Sequence, residues 1–287
     1  MTNLMAIYLR GFAVFLLLLS TATTTVAVEE LNTEGLIQRH LNSIGTAEAR
    51  ASVKSRVVEG RAAYRVLVGG SGQIDGKCVM VSERDRLQAL FKINAIKYHG
   101  EKFVRNGDKT FVAGTYDDGT RSEFGQFLRS EDIPLREGTL GGVWSAGWPL
   151  LDLSSHNAKL HYDGLKKVDG QPLHAATYRG KKSADMEITL FFEPDTFRHV
   201  MSVYSVRIHA GIGFTETESA RQQETRYRIE ERFSDFKSVD GITLPYHYNL
   251  RFQQELQSGF TKLVEWDSNA TRVLNNVDLD AKNFETN

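Results

Sequence analysis

The stretch RYRIEERFSDFKSVDGITLPYHYNLRF, residues 226–252, contains two runs in which apolar residues occupy every second position. In the first run Tyr227, Ile229 and Phe233 fall on one face, and charged residues fill the other. The second run repeats this period after the dipeptide Asp240-Gly241. A period of two is that of a β-strand, and Asp-Gly is typical of a two-residue hairpin turn. The stretch therefore predicts an antiparallel hairpin with one dry face and one wet face.

The alternation assigns each side chain of the second run to a face. We expect the dry face to carry Ile242, Leu244, Tyr246, Tyr248, Leu250 and Phe252. We expect solvent to cover the other face, which carries Thr243, Pro245, His247, Asn249 and Arg251. The first run is expected to end near Ser234, ahead of the turn. A dry face of this length must be buried against another element, and that element decides what the sheet can do.

Strands are predicted along most of the remaining chain, where β-branched and aromatic residues alternate between glycine-containing turns. They are predicted at Val57–Val68, Gln73–Ser82, Leu87–Asn94, Lys97–Asn106, Lys109–Ala113, Lys159–Tyr162, Leu173–Tyr178, Glu187–Phe192 and Arg198–Ile208. Asn32 is a candidate N-cap for a helix that ends at Gly45, and residues 215–224 predict a loop. We expect ten or more strands in one domain, residues 28–287.

Composition places the chain among ordinary globular proteins and excludes a general affinity for nucleic acid. Of its 287 residues 41% are hydrophobic and 25% are charged, which argues against disorder. The 35 Lys and Arg residues nearly balance the 36 Asp and Glu residues. Without an excess of positive charge, the protein has no field that would attract a polyanion.

The first 27 residues differ from the rest. Arg10 is their only charged side chain, Gly11–Leu19 is apolar throughout, and Thr25-Val26-Ala27 supplies small residues for cleavage. This pattern predicts a cleaved secretory signal, because an apolar run this short cannot span a bilayer core of about 30 Å. A permanent membrane anchor is the alternative.

Cys78 is the only cysteine, and we expect it to be a buried strand residue that makes no intramolecular disulfide.

The period changes to a helical one between about residues 120 and 157. Phe124 and Phe127 lie on one helical stripe, and two of the three tryptophans, Trp144 and Trp148, follow in a glycine-rich apolar segment. This insertion suits an element that lies across the sheet as a movable lid. The alternative is a well-packed crossover between two halves of the sheet.

The motifs of common enzymes are missing from the sequence. G-x-S-x-G and H-E-x-x-H do not occur, and Gly69-Gly70-Ser71-Gly72 lacks the rest of a phosphate-binding loop. Ser234-Asp235-Phe236-Lys237 matches S-x-x-K by letter but lies at a strand end, without the accompanying motifs. The histidines are dispersed, with His156 and His161 five residues apart. We therefore predict no catalytic residues, no metal site and no cofactor, and an enzyme of unrecognised type is the least favoured alternative.

The order of elements and one dense motif resemble a known family. The motif is FSDFKSVDGITLPY, residues 233–246, and shorter similarities lie at residues 41–45 and 274–278. Together with the leading signal, the N-terminal helix, the run of strands and the helical insertion, they resemble the LolA/LolB-like superfamily of outer-membrane lipoprotein-sorting proteins of bacteria. The resemblance covers nearly the whole chain after residue 27.

The resemblance implies an incomplete antiparallel β-barrel whose open side is covered by helices and whose concave face holds acyl chains. The implied protein is a periplasmic carrier of lipid or acylated lipoprotein, without catalysis. Burial of the chains would suffice, at about 0.8 kcal/mol for each methylene. Lipoprotein carriers also use an inward arginine to hold the lid, and Arg56, Arg61 and Arg65 are the candidates here. The alternative within this fold is a regulator of envelope stress that senses acylated protein and contacts a membrane partner.

The cavity and lid that the resemblance implies would be lined by alternate residues of the strands and by the aromatic residues of the insertion. The expected ligand-binding residues are Phe91, Ile93, Phe124, Phe127, Trp144, Trp148, Leu190, Phe192, Tyr204, Val206, Tyr227, Ile229, Leu244, Tyr246 and Tyr248.

Overall fold

A computed structural model describes residues 30–96, 98–115, 122–181, 186–208 and 224–286. The signal predicted at residues 1–27 lies outside these ranges, as does nearly all of the loop predicted at 215–224. The architecture described below is that of the compact unit Asn32–Asn287. Within the described ranges, no helix is both long enough and apolar enough to cross a membrane.

In the part of the chain that the structure describes, twelve antiparallel strands form one curved sheet that does not close into a barrel. They are β1 Ser55–Val68, β2 Gly72–Glu83, β3 Arg86–Ile93, β4 Gly100–Asn106, β5 Lys109–Gly114, β6 Lys159–Val168, β7 Gln171–Arg179, β8 Met186–Phe192, β9 His199–Ile208, β10 Thr225–Val239, β11 Ile242–Glu255 and β12 Thr261–Asn275. The spatial order is β5-β4-β3-β2-β1-β12-β11-β10-β9-β8-β7-β6. The first and last strands therefore pair in the centre, and β5 and β6 form the two edges.

The β10–β11 hairpin confirms the prediction from the Asp-Gly dipeptide. Val239 pairs with Ile242, and both Asp240 and Gly241 have positive φ (52° and 77°), as a type I′ turn requires. The predicted end of β10 near Ser234 is wrong. Asp235 has positive φ (54°) and interrupts the pairing at this point, but the register is unchanged and pairing resumes at Phe236 up to the turn.

Helices cover the concave side of the sheet. The N-terminal helix α1, Thr33–Ile44, begins as predicted at Asn32, whose side chain accepts a hydrogen bond from the amide of Gly35. A short helix α2, Ala47–Ser52, follows it. Between β5 and β6 the chain forms α3 Glu123–Ser130, α4 Ile133–Arg136 and 3₁₀ turns at Gly142–Trp144 and Pro149–Leu151. We call residues 122–151 the lid. A last 3₁₀ turn, Ala281–Phe284, packs on β3 and β4.

The convex face is less exposed than the alternation predicted. Asn249 is only 7% exposed, because charged side chains close over it. Glu265 on β12 pairs with Arg65 and Arg251 on the two neighbouring strands, and Asp267 pairs with His247. The expectation that solvent covers Asn249 is therefore wrong. Long polar side chains on a twisted sheet can bury the shorter ones between them.

Candidate functional site

The concave face is an apolar surface that the lid buries. Two of the fifteen predicted ligand-binding residues, Tyr227 and Tyr246, are half-buried, and the other thirteen are buried. The thirteen are Phe91, Ile93, Phe124, Phe127, Trp144, Trp148, Leu190, Phe192, Tyr204, Val206, Ile229, Leu244 and Tyr248. Most of the aromatic ones belong to two clusters, one under α3 and one under the 3₁₀ turns.

The cluster under α3 is centred on Phe124. Its ring lies 5.4 Å from the rings of Phe103, Phe252 and Trp266, on three different strands. Phe127, one turn further along α3, lies 4.9 Å from the ring of Tyr227. The sequence prediction included the two lid residues and Tyr227 but did not select the three strand residues beneath Phe124. One of those three, Phe252, lies in a run whose alternation was visible.

The cluster under the 3₁₀ turns contains both lid tryptophans. Trp144 packs 4.9 Å from Tyr248 and donates a hydrogen bond from Nε1 to the carbonyl oxygen of Pro245 (2.6 Å). Trp148 stacks on His199 at 4.9 Å. Both indole rings are at most 2% exposed. A buried indole needs a hydrogen-bond acceptor. For Trp144 it is the Pro245 carbonyl, and for Trp148 it is a ring nitrogen of His40.

Lid side chains fill part of the space above the concave face. Near Val143, Trp148 and Ile242 the gap is about 20 Å³, which is room for a single water molecule. Beside α3 a wider cavity of about 270 Å³ is lined in part by Phe127 and Tyr227. Under the 3₁₀ turns, an acyl chain would therefore have to displace lid side chains in order to reach the sheet.

The lid is also held by polar side chains that point inward from the strands. Glu101 of β4 accepts hydrogen bonds from the backbone amide (2.8 Å) and the hydroxyl (2.7 Å) of Ser122, the N-cap residue of α3. Ser82 of β2 accepts a hydrogen bond from the amide of Ala146 (2.8 Å). The lid is thus bound near its start and again near its end.

Glu231 of β10 holds the middle of the lid and is fully buried. Its carboxylate accepts hydrogen bonds from the amide of Gly141 and from the hydroxyls of Tyr204 and Tyr248, each 2.7 Å long. Burial raises the pKa of Glu231 above its usual value, and these hydrogen bonds oppose the shift. Gly141 has φ of +82°, and a Cβ there would collide with the side chain of Met80, so this position favours glycine.

Of the three candidate arginines, Arg56 of β1 is the one that donates a hydrogen bond to the lid. It is 4% exposed and donates hydrogen bonds to the carbonyl oxygen of Val143 (2.5 Å) and to Oδ1 of Asn275 (2.9 Å). Burial lowers its pKa to about 10, which leaves it protonated at neutral pH. Of the other two candidates, Arg61 is exposed and Arg65 pairs with carboxylates on the convex face.

Two buried histidines, His40 of α1 and His199 of β9, support Trp148 from below. The Nε1–H group of Trp148 donates to Nε2 of His40 (3.2 Å), while Nδ1 of His40 lies 3.1 Å from the carbonyl oxygen of Phe197. A carbonyl can only accept, so the proton of His40 is on Nδ1 and the ring is neutral. Burial lowers the pKa of His40 to about 4 and that of His199 well below its usual value.

The inward charged groups were missed because each is a single charge within an apolar alternation. Glu231 lies between Ile229 and Phe233 on the dry face, and Glu101 lies two residues from the inward Phe103. A charge at a position that the period assigns to the core was the signal that could have revealed them.

Among the described residues, no three His, Cys, Asp or Glu side chains come together as a metal site would require.

The fold is similar to those of solved bacterial proteins. One is a LolA superfamily protein from Nitrosomonas europaea, which is 11% identical, with 89% of this chain and 98% of that chain covered and a TM-score of 0.46. Another is a DUF1329 family protein from Desulfovibrio piger, 13% identical, with 88% and 96% covered and a TM-score of 0.47. The likeness is one of fold. No family model and no curated protein matches the sequence.

Proposed function

We propose that this protein is a carrier of lipid or acylated lipoprotein in the bacterial periplasm, and that cargo enters by displacing the lid. The observation that carries the proposal is the contact between lid and sheet. An apolar, largely aromatic concave face is covered by a segment whose backbone is tied down by buried charged side chains such as Arg56 and Glu231.

Burying charged side chains is an energetically unfavourable way to hold a permanent crossover in place. Removing a charged group from water costs several kcal/mol, and well-packed apolar residues often give equal or greater stability. The hydrogen bond that Arg56 donates to a lid carbonyl and the one that Glu231 accepts from a lid amide can instead be exchanged for bonds to water once the lid rises. Their net contribution is about 1.5–3 kcal/mol for each charged partner. They favour the closed lid without making it permanent.

Cargo can supply the free energy that opening requires. A chain of about fourteen methylenes transferred from water to the concave face gains roughly 11 kcal/mol before the costs of ordering it, at about 0.8 kcal/mol each. This exceeds the loss of a few charged hydrogen bonds. The aromatic surface under Phe124 and Trp144 would then pack against the chain in place of the lid. No catalytic group is needed for such a cycle.

The test exploits the competition between lid and cargo. Arg56→Leu weakens the closed state, so the binding-competent state becomes more populated and the affinity for palmitate should rise, by up to about tenfold for each 1.4 kcal/mol lost. Binding is followed by tryptophan fluorescence of the mature protein. Arg61→Leu, the same change at an exposed site, serves as the control and should leave the affinity unchanged.

The outcomes separate the carrier from an inert domain. No saturable palmitate or lipopeptide titration in the wild type would refute the carrier proposal. A fall in affinity for Arg56→Leu, with the fold intact by circular dichroism, would mean that the lid does not compete with cargo. Native mass spectrometry of the mature protein from a periplasmic extract should also detect co-purified lipid.

A second candidate function is a regulator that senses acylated protein and contacts an envelope membrane protein. In its favour, neighbouring hairpin tips expose apolar side chains: Leu67 (41% exposed) and Val68 (43%) at the end of β1, and Phe260 (48%) before β12. The two functions differ in whether the bound lipid is released. A carrier should deliver bound lipid to acceptor vesicles, whereas a sensor should retain it, so transfer of a fluorescent acyl probe distinguishes them.

A further inference from the structure

A polar pocket of about 440 Å³ lies where α4 meets the end of the sheet. Its size is within the range of small-molecule sites, about 300–1,000 Å³. The β2–β3 turn, the β4–β5 turn, the end of α4, the segment after the lid and the end of β7 supply its walls. The lining residues are Asp85, Arg105, Gly107, Asp108, Arg136, Glu137, Ser155, His156, Asn157 and Lys181.

Arg105 is the buried cation of this pocket. Its side chain is on the concave face of β4, and the residue is only 6% exposed. Its buried Nε–H group has no hydrogen-bond partner. The carboxylates of Asp85, Glu137 and Asp108 are near enough to act on its charge and oppose the lowering of its pKa by burial. A buried guanidinium without an acceptor is costly, since charged groups need paired hydrogen bonds when they leave water.

The surrounding residues leave space for this guanidinium but give its Nε–H group no hydrogen-bond acceptor. Gly138, with φ of +71°, lies against it, and a Cβ at this position would collide with its nitrogen atoms. Glu137 receives a hydrogen bond from the hydroxyl of Tyr178 (3.4 Å), and Arg136 is paired with Asp132. The pair with Asp132 takes up the charge of Arg136, whereas the Glu137 carboxylate is one of the charges that act on Arg105. The buried Nε–H group of Arg105 is left available to an acceptor that enters the pocket.

The chemistry of the remaining walls indicates what that acceptor carries. Besides Arg105 and the paired Arg136, Lys181 adds a cation at the exposed edge, and Asp85 and Asp108 supply carboxylates on the side of the two turns. A phosphate group could bind the planar fork of Arg105 through two parallel hydrogen bonds. Hydroxyl or ammonium groups attached to that phosphate would meet the carboxylates.

The position of Arg105 connects this pocket to the apolar floor. Phe103 is two residues away on the same face of β4, about 7 Å along the strand, and packs against Phe124 of the lid. We propose that the pocket binds the phosphate-bearing head group of the acyl lipid whose chain lies on the concave face. This inference rests on the proposed carrier function and adds the class of cargo, a phospholipid.

The test compares ligands that share either the phosphate or the chains. Calorimetric titrations would use glycerol 3-phosphate, dihexanoyl-phosphatidylglycerol, and dihexanoylglycerol, which has the same chains and an uncharged head. For Arg105→Gln we expect at least tenfold weaker binding of the phospholipid, since a charged hydrogen bond is lost. Binding of dihexanoylglycerol should not change. Arg61→Gln, on the convex face, is the matched control.

A second variant keeps the test decisive if Arg105→Gln does not fold. Lys181→Gln changes an exposed residue and should weaken phospholipid binding about threefold, without effect on dihexanoylglycerol. Equal affinities for the two lipids in wild type and variants would overturn the head-group site and leave the carrier function intact. Binding of glycerol 3-phosphate that depends on Arg105, with no binding of either lipid, would overturn the lipid assignment and refute the carrier. The proposal is also overturned if Arg105→Gln still prefers the phospholipid to dihexanoylglycerol by the same factor as the wild type.

Discussion

Acidification should loosen the lid through His40, because the hydrogen bonds of this residue require a neutral ring. Nε2 accepts the Trp148 Nε1–H group and Nδ1–H donates to a carbonyl, so a second proton would place two donors face to face. Burial lowers the pKa of His40 to about 4, from 6.5 in a solvated chain. The folded state thus binds its proton at lower pH than the unfolded state does.

The sign and size of the effect follow from linkage. The contribution of His40 to the free energy of unfolding is fully present above pH 6.5 and is lost as the pH falls toward about 4. Between pH 7.5 and pH 5 the loss amounts to about 2 kcal/mol for these two pKa values. His199, whose pKa burial also lowers, adds a loss of the same sign. Glu231, whose pKa burial raises, changes stability in the opposite direction, so the contribution of His40 is obtained from the difference between wild type and a His40 variant.

The measurement is urea unfolding at pH 7.5, 6 and 5, followed by far-UV circular dichroism and by tryptophan emission. In His40→Gln the titrating group is gone, so the loss of stability between pH 7.5 and 5 should shrink by about 2 kcal/mol. His161→Gln removes a histidine whose side chain is 81% exposed and should keep the wild-type pH dependence. Identical pH dependence in all three proteins would refute the reasoning.

Three further predictions concern the sheet, the lid and export. Leu244→Asp should cost several kcal/mol in urea unfolding, because it buries an unpaired carboxylate, whereas Thr243→Asp on the opposite face should cost less than 1 kcal/mol; equal costs would show that the faces are misassigned. Gly141→Ala should lower Tm by more than Gly170→Ala, since both have positive φ but open space surrounds only Gly170; equal shifts would exclude a steric role for the lid glycine. N-terminal sequencing of periplasmic protein should begin near Val28, and recovery of residues 1–27 in the membrane fraction would contradict cleavage.

Local signals were sufficient for most of the fold. The Asp240-Gly241 turn, the cap at Asn32 and the alternation of β11 depend only on neighbours in the chain, and each predicted its element. The helical stripe of Phe124 and Phe127 likewise located α3 within the lid. In these places backbone preference and hydrophobic period agree, which is why a single sequence is enough.

Long-range contacts could not be predicted in the same way. Trp148 meets His40 across 108 residues, and Arg56 meets the lid across 87. No local period encodes such pairs. Lys159–Tyr162 was predicted too short because β6 bends at a bulge beside Gly164 and continues to Val168. Asn249 was misplaced because burial by long charged neighbours on adjacent strands leaves no trace in the alternation of its own strand.

The lid joins the two edge strands of the sheet, β5 and β6, so it is a loop with both ends fixed. If such a loop opens, it can only arch outward, and the height of the arch depends on the slack of its connections. The segment between Leu151 and Lys159 is one of these connections. Lengthening it by a few residues costs little loop-closure entropy. The largest cargo that fits would then be set by linker length, a property that can change by insertion without altering any side chain of the concave face.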